Sequence, residues 1–486
     1  MSDKLTKIVA TIGPASDSKE MVKKLILAGV NIFRFNFKHN TIEWHNERIQ
    51  LVKSVARELG IFIGTLIDLQ GPEIRINMPV DELIIKKEEL LLFGEEVYKK
   101  SKPSFAKASE GKGFSISHPQ IIPHLDEGQK IVADDGAFVF YLKKVNNKTY
   151  LRSNSNGVLK NRKSINIPGA DFPFPAMVDR DFEGLKLAQR NEIDFVALSF
   201  VRTAHDIEVL RQEMKKYKVH AKIIAKMETK KSLEHLESVI NVSDGVMVAR
   251  GDMGVELPIE EVPYNQKILI KEAIKKGIPV ITATQMLASM SESPYPTRAE
   301  VSDIANAVYD LTDSVMLSEE TAVGKYPVET VDIMSKTVFF NESKNKVDSR
   351  LRFNFELTDN ESILCDTAYG LYFTYQKMKG ELGGFVVFTK TGKTVQLLSR
   401  YRPLCPIFAF AHNLKTVHSL TASFGTVPFH KEVNKQKEIG SKDIMNSVNF
   451  LVKKQYVKKG QILIVLHGER WAEKGSTSTM RLITAL

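Results

Sequence analysis

Eight short runs of β-branched and other apolar residues recur through the first two-thirds of this chain. They span residues 7–12, 31–35, 61–68, 193–199, 221–226, 245–249, 279–283 and 314–317. Amphipathic segments of helical period separate most of them, at 18–28, 43–59, 206–216, 262–276 and 298–309. A strand that is apolar almost throughout is buried on both faces, and parallel neighbours need crossovers, usually helical. Eight such units predict a closed (β/α)8 barrel, the TIM-barrel class.

The alternation breaks once. From Gly71 to about Asp171 it gives way to short strands and turns. Alternation at 131–142 and turn signals at Asp135-Gly136 and Asn156-Gly157 mark this stretch. An insertion after strand three emerges at the C-terminal face of the barrel, placed to act as a lid. Within it, residues 99–113 are polar and contain Pro and Gly, which reads as a loop. Beyond residue 344, runs at 385–388, 407–410, 426–429 and 462–466 predict a small open α/β domain. The expected organisation is a catalytic barrel from 1–70 and 172–344 and an inserted small β-barrel lid at 71–171. An α/β effector and oligomerisation domain is expected at 345–486.

The 486 residues carry 68 Lys and Arg against 58 Asp and Glu, a net of +10. Residues 346–486 hold 21 of the basic and 11 of the acidic groups, so the excess lies wholly in the last domain. Its paired lysines, 453-454 and 458-459, read as the solvated face and end of a helix. Ile444, Val448, Leu451 and Val452 supply the apolar stripe of that helix. No aromatic-rich basic stripe or finger spacing appears, so nucleic acid is not an expected partner. Two cysteines, Cys365 and Cys405, exclude a disulfide framework and a Cys-rich zinc module. No run approaches the ~18–20 apolar residues that span a bilayer. The opening residues lack a signal-peptide pattern. A cytoplasmic protein without a membrane partner is expected.

In a (β/α)8 barrel, polar residues just past the strands face the active site. Strand two runs into Arg34, Asn36, Lys38 and His39, strand three into Asp68, Gln70, Glu73 and Arg75, and strand four into Ser199 and Arg202. Strand five ends at Lys226 and Glu228, and strand six at Arg250, Gly251 and Asp252. Thr284 and Gln285 follow strand seven, and Ser318, Glu319 and Glu320 follow strand eight. Arg34 and Arg75 offer planar forks suited to phosphate or carboxylate. Glu228 and Asp252 are hard oxygen donors on neighbouring strands, enough to hold Mg²⁺. Lys226 shares a side of its strand with Glu228 and brings positive charge beside the metal. Gly251 lets a ligand approach the backbone closely. Such groups stabilise an enolate or a transferring phosphoryl group. No Walker-type loop is present, and no Cys/His set suggests zinc or covalent cysteine chemistry. The residues leave three readings open: a metal-dependent kinase, a lyase or synthase that manages an enolate, and a non-catalytic sensor of phosphometabolites.

The motifs TKIVATIGPAS, NIFRFNF, IDLQGPEIR, MVARGDMGVE, VITATQMLASM, PTRAEVSDIANAVYD and VMLSEETAVGKYP are similar to those of pyruvate kinase, in the same order. The resemblance covers nearly the whole chain. It implies phosphoryl transfer from phosphoenolpyruvate to ADP, giving pyruvate and ATP, by a homo-oligomer that is commonly a tetramer. It also implies Mg²⁺ (or Mn²⁺) held by Glu228 and Asp252. Arg34 would contact the phosphoryl group, Lys226 would stabilise developing charge, and Arg75 would complete the phosphate pocket. The backbone of Arg250, Gly251 and Asp252, with the Thr284 hydroxyl, would hold the substrate carboxylate. Thr284 lies where the enolate is protonated, with Ser318 and Glu320 in the proton-relay region. Asn36, His39 and Arg180 belong to the nucleotide region, Arg180 standing where the family often has Lys.

The chain departs from the family around the monovalent cation. Members that need K⁺ usually carry Ser at position 38 and Thr-Lys at positions 69 and 70; here stand Lys38, Leu69 and Gln70. Leu69-Gln70 matches K⁺-independent members, which generally also replace Glu73 with Lys. The expectation is that Lys38 brings its ammonium to the K⁺ position beside Asn36 and Asp68. Glu73 would pair with it, and K⁺ would not be required. Asn40 and Glu319 stand where Gly is usual. In the last domain, Thr389, Lys390, Thr391, Gly392, Lys393 and Thr394 join a predicted strand to a predicted helix, an arrangement that can cradle an anion. Residues 475–479 read as a second hydroxyl-rich turn. The resemblance makes this the site of a phosphorylated effector, often a sugar bisphosphate.

Overall fold

The computed structural model describes residues 4–99, 112–146, 148–170, 172–345, 355–377, 382–432, 438–469 and 477–486. The eight runs form parallel strands β1 (Lys7–Thr11), β2 (Ile32–Asn36), β3 (Gly64–Asp68), β4 (Phe195–Leu198), β5 (Lys222–Met227), β6 (Gly245–Ala249), β7 (Val280–Ala283) and β8 (Ser314–Leu317). They close in chain order, with β8 pairing back onto β1. The period of two sorts their side chains into layers. Val9, Ile32, Leu66, Phe195, Ile224, Met247, Ile281 and Met316 form one buried cluster filling the barrel. Their neighbours Ile8, Phe33, Ile67 and Val196 pack outward in the cluster shared with the helices.

The helices begin and end where local chemistry requires. The hydroxyls of Ser18, Thr41 and Thr297 accept the N–H groups of Met21, Trp44 and Glu300 in the first turns that follow. Gly60 and Gly277 close two of them at φ 66° and 77°. Among the described residues, no helix is long and apolar enough to cross a membrane.

The inserted segment forms a seven-stranded mixed sheet and a separate two-stranded pair. The alternating stretch becomes the hairpin of Lys130–Ala133 with Phe138–Val145, closed through Asp134, Asp135 and Gly136, all at positive φ. Phe114, Ile131, Phe140 and Leu142 are at its core. Residues 100–111 of the polar stretch read as a loop lie outside the described residues.

The C-terminal domain is a five-stranded sheet. Strands β9 (Leu382–Thr389), β10 (Ile407–Ala411), β11 (Thr426–His430) and β12 (Ile462–Gly468) are parallel in the order 11-10-9-12. The tail corrects the sequence reading. Thr477, Ser478 and Thr479 are not a turn but the start of an edge strand, β13 (Thr477–Thr484), antiparallel to β12. Threonine is a strand former, so clustered hydroxyls alone do not distinguish the two. Gly475 and Ser476 lie outside the described residues. The helix Ser441–Lys453 buries Ile444, Val448 and Leu451. It ends before Lys458-Lys459, which follow in the next turn.

This domain closes the lower end of the barrel. Ala422 joins the interior cluster, and a Cβ on Gly64 would come within 2.4 Å of the Thr421 hydroxyl. Beside them, buried Arg402 donates to Asp313 at 2.6 Å and to the Leu311 carbonyl at 2.9 Å. The other Asp313 oxygen accepts the Phe424 N–H. Arg402→Met should destabilise the protein by about 3–5 kcal/mol, because it leaves Asp313 buried without its counter-charge. Thermal unfolding would show the loss, and hydrogen exchange should rise around residues 311–313 and 399–424. Unchanged exchange there would refute this role for the pair.

Candidate active site

The inward parity of each strand continues past its end. Val9 leads to Thr11, Ile32 to Arg34 and Asn36, Leu66 to Asp68, Ala197 to Ser199, and Ile224 to Lys226 and Glu228. These side chains therefore converge at the C-terminal mouth of the barrel.

Lys226 stands at the centre, almost fully buried. Its ammonium donates to Ser199 Oγ at 2.8 Å and lies 3.2 Å from Glu228 and 3.6 Å from Asp68. Burial works against its charge. The carboxylates of Asp68, Glu228 and Asp252 outweigh burial and hold its pKa above the ordinary lysine value. Arg34 donates to Asp68 Oδ2 from Nε at 2.8 Å and to Thr11 Oγ1 from Nη1 at 3.0 Å. Burial opposes the charge of Asp68 too, yet Lys226 and Arg34 keep it below the usual carboxylate range. Glu228 differs. Its Oε1 accepts the Phe200 N–H at 2.6 Å, whereas its Oε2 is buried without a hydrogen-bond partner. Burial, with Asp252 adding to it, pushes this carboxyl up to about 7.

Across the mouth, Thr284 Oγ1 accepts the Gly251 N–H at 2.8 Å. Thr284 and Gln285 sit at φ 70° and 55°. The Arg250 side chain points away from the centre and holds this turn. It donates to the carbonyls of Ala283 and Thr284 and pairs with Asp303 at 2.7 Å. Glu320 accepts the Ser318 N–H at 2.6 Å and the Leu287 N–H at 3.2 Å, and burial raises its pKa.

Residues from the loops after β2 and β3 also meet. Lys38 Nζ lies 3.3 Å from Glu73 and 5.2 Å from the centre of the Phe200 ring. The Lys38 N–H donates to Asn36 Oδ1. Arg75 pairs with the other Glu73 oxygen at 2.7 Å and donates to the Arg162 carbonyl in the lid. Arg180 donates to the carbonyls of Phe37, His39 and Asn40, clamping the loop after β2. Burial and the nearby Arg75 and Lys38 charges lower the His39 pKa. Leu69 is off parity. Its side chain faces Phe37 and the helix residue Gly184, and only its carbonyl, accepting from Ser199 Oγ, turns toward the site.

In the last domain, Thr389 Oγ1 accepts the Gly392 N–H, and Gly392 has φ 90°. Lys393 is paired with Asp359 at 2.5 Å and with Glu361 at 3.4 Å, and Thr394 donates to Glu361. Two carboxylates thus face the cradle.

Comparison with known proteins decides among the three readings. A family profile described as the barrel domain of pyruvate kinase matches residues 3–331, and one for its alpha/beta domain matches residues 373–483. The chain belongs to the pyruvate kinase family. Proteins named pyruvate kinase from Staphylococcus epidermidis and Sporosarcina psychrophila are each 37% identical to it, over 98% of this chain and 80% of theirs. One from Staphylococcus aureus is 35% identical over the same shares. As a pyruvate kinase family member, the protein is a phosphotransferase.

The residues fit the divalent metal that a pyruvate kinase implies. Glu228 Oε2 is a buried, hard donor that makes no hydrogen bond and faces the Lys226 ammonium at 3.2 Å, and the Asp252 charge acts on the same carboxylate. Among the described residues no group of three or more His, Cys, Asp or Glu could hold a metal. Two carboxylates with water and substrate oxygens match the habits of Mg²⁺. Sequence reasoning left Thr11 and Phe200 out of the site, and named Ser199 past strand four without giving it a role. Strand parity would have found Thr11.

One more carboxylate links barrel to lid. Glu256 accepts the Gly169 and Lys230 N–H groups and the Asn166 side chain, and burial pushes it up to about 7. The folded form therefore binds this proton more tightly than the unfolded chain, whose ordinary value is 4.5. Its stabilising contribution is full below that value and is lost as the pH rises through about 7. Glu256→Gln cannot ionise. It should flatten the fall in stability between about pH 5 and 7 by up to ~1.4 kcal/mol per pH unit, read by urea unfolding. An unchanged slope would remove Glu256 from the account.

Proposed function

We propose that this protein transfers the phosphoryl group of phosphoenolpyruvate to ADP, using Mg²⁺ held by Glu228 and Asp252, without requiring K⁺. The single observation that carries the reading is the Lys226 ammonium fixed among Asp68, Glu228 and Ser199 at the barrel mouth. A β-phosphate oxygen of ADP attacks phosphorus as the bond to the enol oxygen breaks, and the enolate then takes a proton at its methylene carbon. Lys226 and Arg34 hold the charge that develops on the transferring group and the departing oxygen. The Gly251 amide and Thr284 hydroxyl orient the substrate carboxylate. Thr284, Ser318 and Glu320 line the route by which water delivers the proton. When bound, the divalent metal supplies positive charge to phosphoryl and enolate oxygens. His39, Arg75 and Arg180 border the nucleotide and phosphate side.

The internal cation rests on the Lys38–Glu73 pair, which holds the ammonium where its charge acts on Asp68, while the Lys38 backbone N–H is tied to Asn36. The boundaries 1–70 with 172–344, 71–171 and 345–486 belong to the same proposal, as do assembly as a homotetramer in the cytoplasm and a phosphorylated effector at residues 389–394. An effector phosphate would have to displace Asp359 from Lys393. A coupled assay with phosphoenolpyruvate, ADP and Mg²⁺ in K⁺-free buffer tests the core reading. Turnover that depends on all three is expected. No ATP from these substrates under any salt would overturn the kinase reading, and activity only with K⁺ would overturn the internal cation.

A further inference from the structure

We infer that Phe200 is a positioning residue that couples the Lys38 ammonium to the metal-binding carboxylate Glu228. The inference rests on the internal-cation reading and adds a residue to it. Phe200 follows β4 with φ 57°, a conformation that a bulky residue adopts only when its surroundings enforce it. Its backbone N–H donates to Glu228 Oε1 at 2.6 Å, and its ring lies 5.2 Å from Lys38 Nζ. One residue therefore touches both charged groups, one through its amide and the other through its ring.

The chemistry of each contact suits its partner. The amide fixes Glu228 Oε1 and so orients Oε2, which makes no hydrogen bond and lies 3.2 Å from the Lys226 ammonium, as the oxygen a metal would take. The ring face attracts the ammonium through its quadrupole without adding a negative charge. That matters where Asp68, Glu73 and Glu228 already all act on the same ammonium. Glu73 alone would leave the long lysine stem free to swing. With the ring on one side and the carboxylate on the other, the Lys38 side chain is only 16% exposed. The ring is itself held. A Cβ on Gly71 would meet it at 3.0 Å, so the turn after β3 packs directly against it. Moving the ring shifts the turn that presents its N–H, and with it Glu228.

The test compares wild type, Phe200→Leu and Phe200→Tyr by equilibrium Mn²⁺ binding without substrates and in steady-state assays with phosphoenolpyruvate and ADP, titrating Mg²⁺ and K⁺ separately. Leucine keeps apolar volume but removes the ring face, whereas tyrosine keeps the face. Phe200→Leu should weaken Mn²⁺ binding and raise the Mg²⁺ concentration for half-maximal activity, each by about tenfold. It should also make K⁺ activating, and Phe200→Tyr should restore the wild-type response to both ions. Combining Phe200→Leu with Lys38→Ser should give less than the sum of the two separate effects on K⁺ response. An equal fall in rate at every ion concentration, or a tyrosine variant as impaired as leucine, would overturn the coupling. If Phe200→Leu does not fold, the tyrosine variant and Phe200→Met carry the same comparison. Strong K⁺ activation of wild type would instead overturn the internal cation itself, which keeps the two failures apart.

Discussion

Replacing Lys226 with Met is expected to lower kcat by about 10³-fold or more. Removing one preorganised electrostatic donor from an enclosed site costs about 10²–10³. Here the loss is larger because the ammonium also balances Asp68, Glu228 and Asp252. Without it those carboxylates repel one another and the incoming phosphoryl oxygens alike. The Glu228 proton, already held up to about 7, would become harder to remove, so Mg²⁺ binding should weaken near neutrality. Raising the Mg²⁺ concentration should recover only the binding part of the defect. Lys226→Arg keeps the charge, but a planar fork cannot occupy the same point among Ser199, Asp68 and Glu228. It should fall between wild type and methionine. Because its pKa is raised, Lys226 stays charged throughout the neutral range and acts as a fixed cation, not a proton donor. The pH–rate profile of wild type should then show no inflection from it between about pH 6 and 9. Single-turnover rates at saturating Mg²⁺ would check the magnitude. A methionine variant within tenfold of wild type would sink the assignment.

The site owes its legibility to one physical rule. Buried parallel strands read as apolar runs, so all eight barrel strands could be placed from sequence, and the helix 262–276 matched residue for residue. The period of two then says which polar residues past a strand face inward. Arg34, Asp68, Ser199, Lys226 and Glu228 obey it, and so does Thr11, which the sequence reading left aside. Leu69 breaks it, and its side chain duly packs outward against the Phe37 ring and Gly184. Other features lie beyond any local rule. The Arg250 side chain turns from substrate to the Thr284 carbonyl because Asp303, 53 positions later, draws it there. The Lys393–Asp359 pair likewise depends on a segment 34 positions upstream of the cradle. Strand β13 escaped for a different reason: an edge strand buries one side only, and its hydroxyls mimic a turn.

Lys38→Ser is the second large effect, and it should convert a K⁺-indifferent enzyme into a K⁺-dependent one. In wild type, Lys38 Nζ stands 3.3 Å from Glu73, and its charge acts on both Asp68 and Glu228. A unit charge at ~4 Å in surroundings of effective dielectric ~20 is worth about 4 kcal/mol. Because Glu73 offsets part of that charge, removal of the ammonium should cost about 10²-fold in kcat/KM for phosphoenolpyruvate in K⁺-free buffer. Serine restores a neutral oxygen donor at position 38 beside Asn36 and Asp68, so added K⁺ can take the vacated place and recover most of that loss. Na⁺ should recover less, being smaller than the space left by an ammonium. Wild type should change by less than about twofold over the same K⁺ range, since the proposed cation is a covalently tethered ammonium. Lys38→Met separates the two effects. It removes the charge without supplying an oxygen, so it should stay slow at every K⁺ concentration. Glu73→Gln asks the converse question: it frees the ammonium from its partner while Phe200 still faces it. That variant should keep activity without K⁺ but lose substrate affinity, because Arg75 is released from the same carboxylate. If Lys38→Ser remains as active as wild type without K⁺, the ammonium is not the cation the site uses, and another positive group must supply the field.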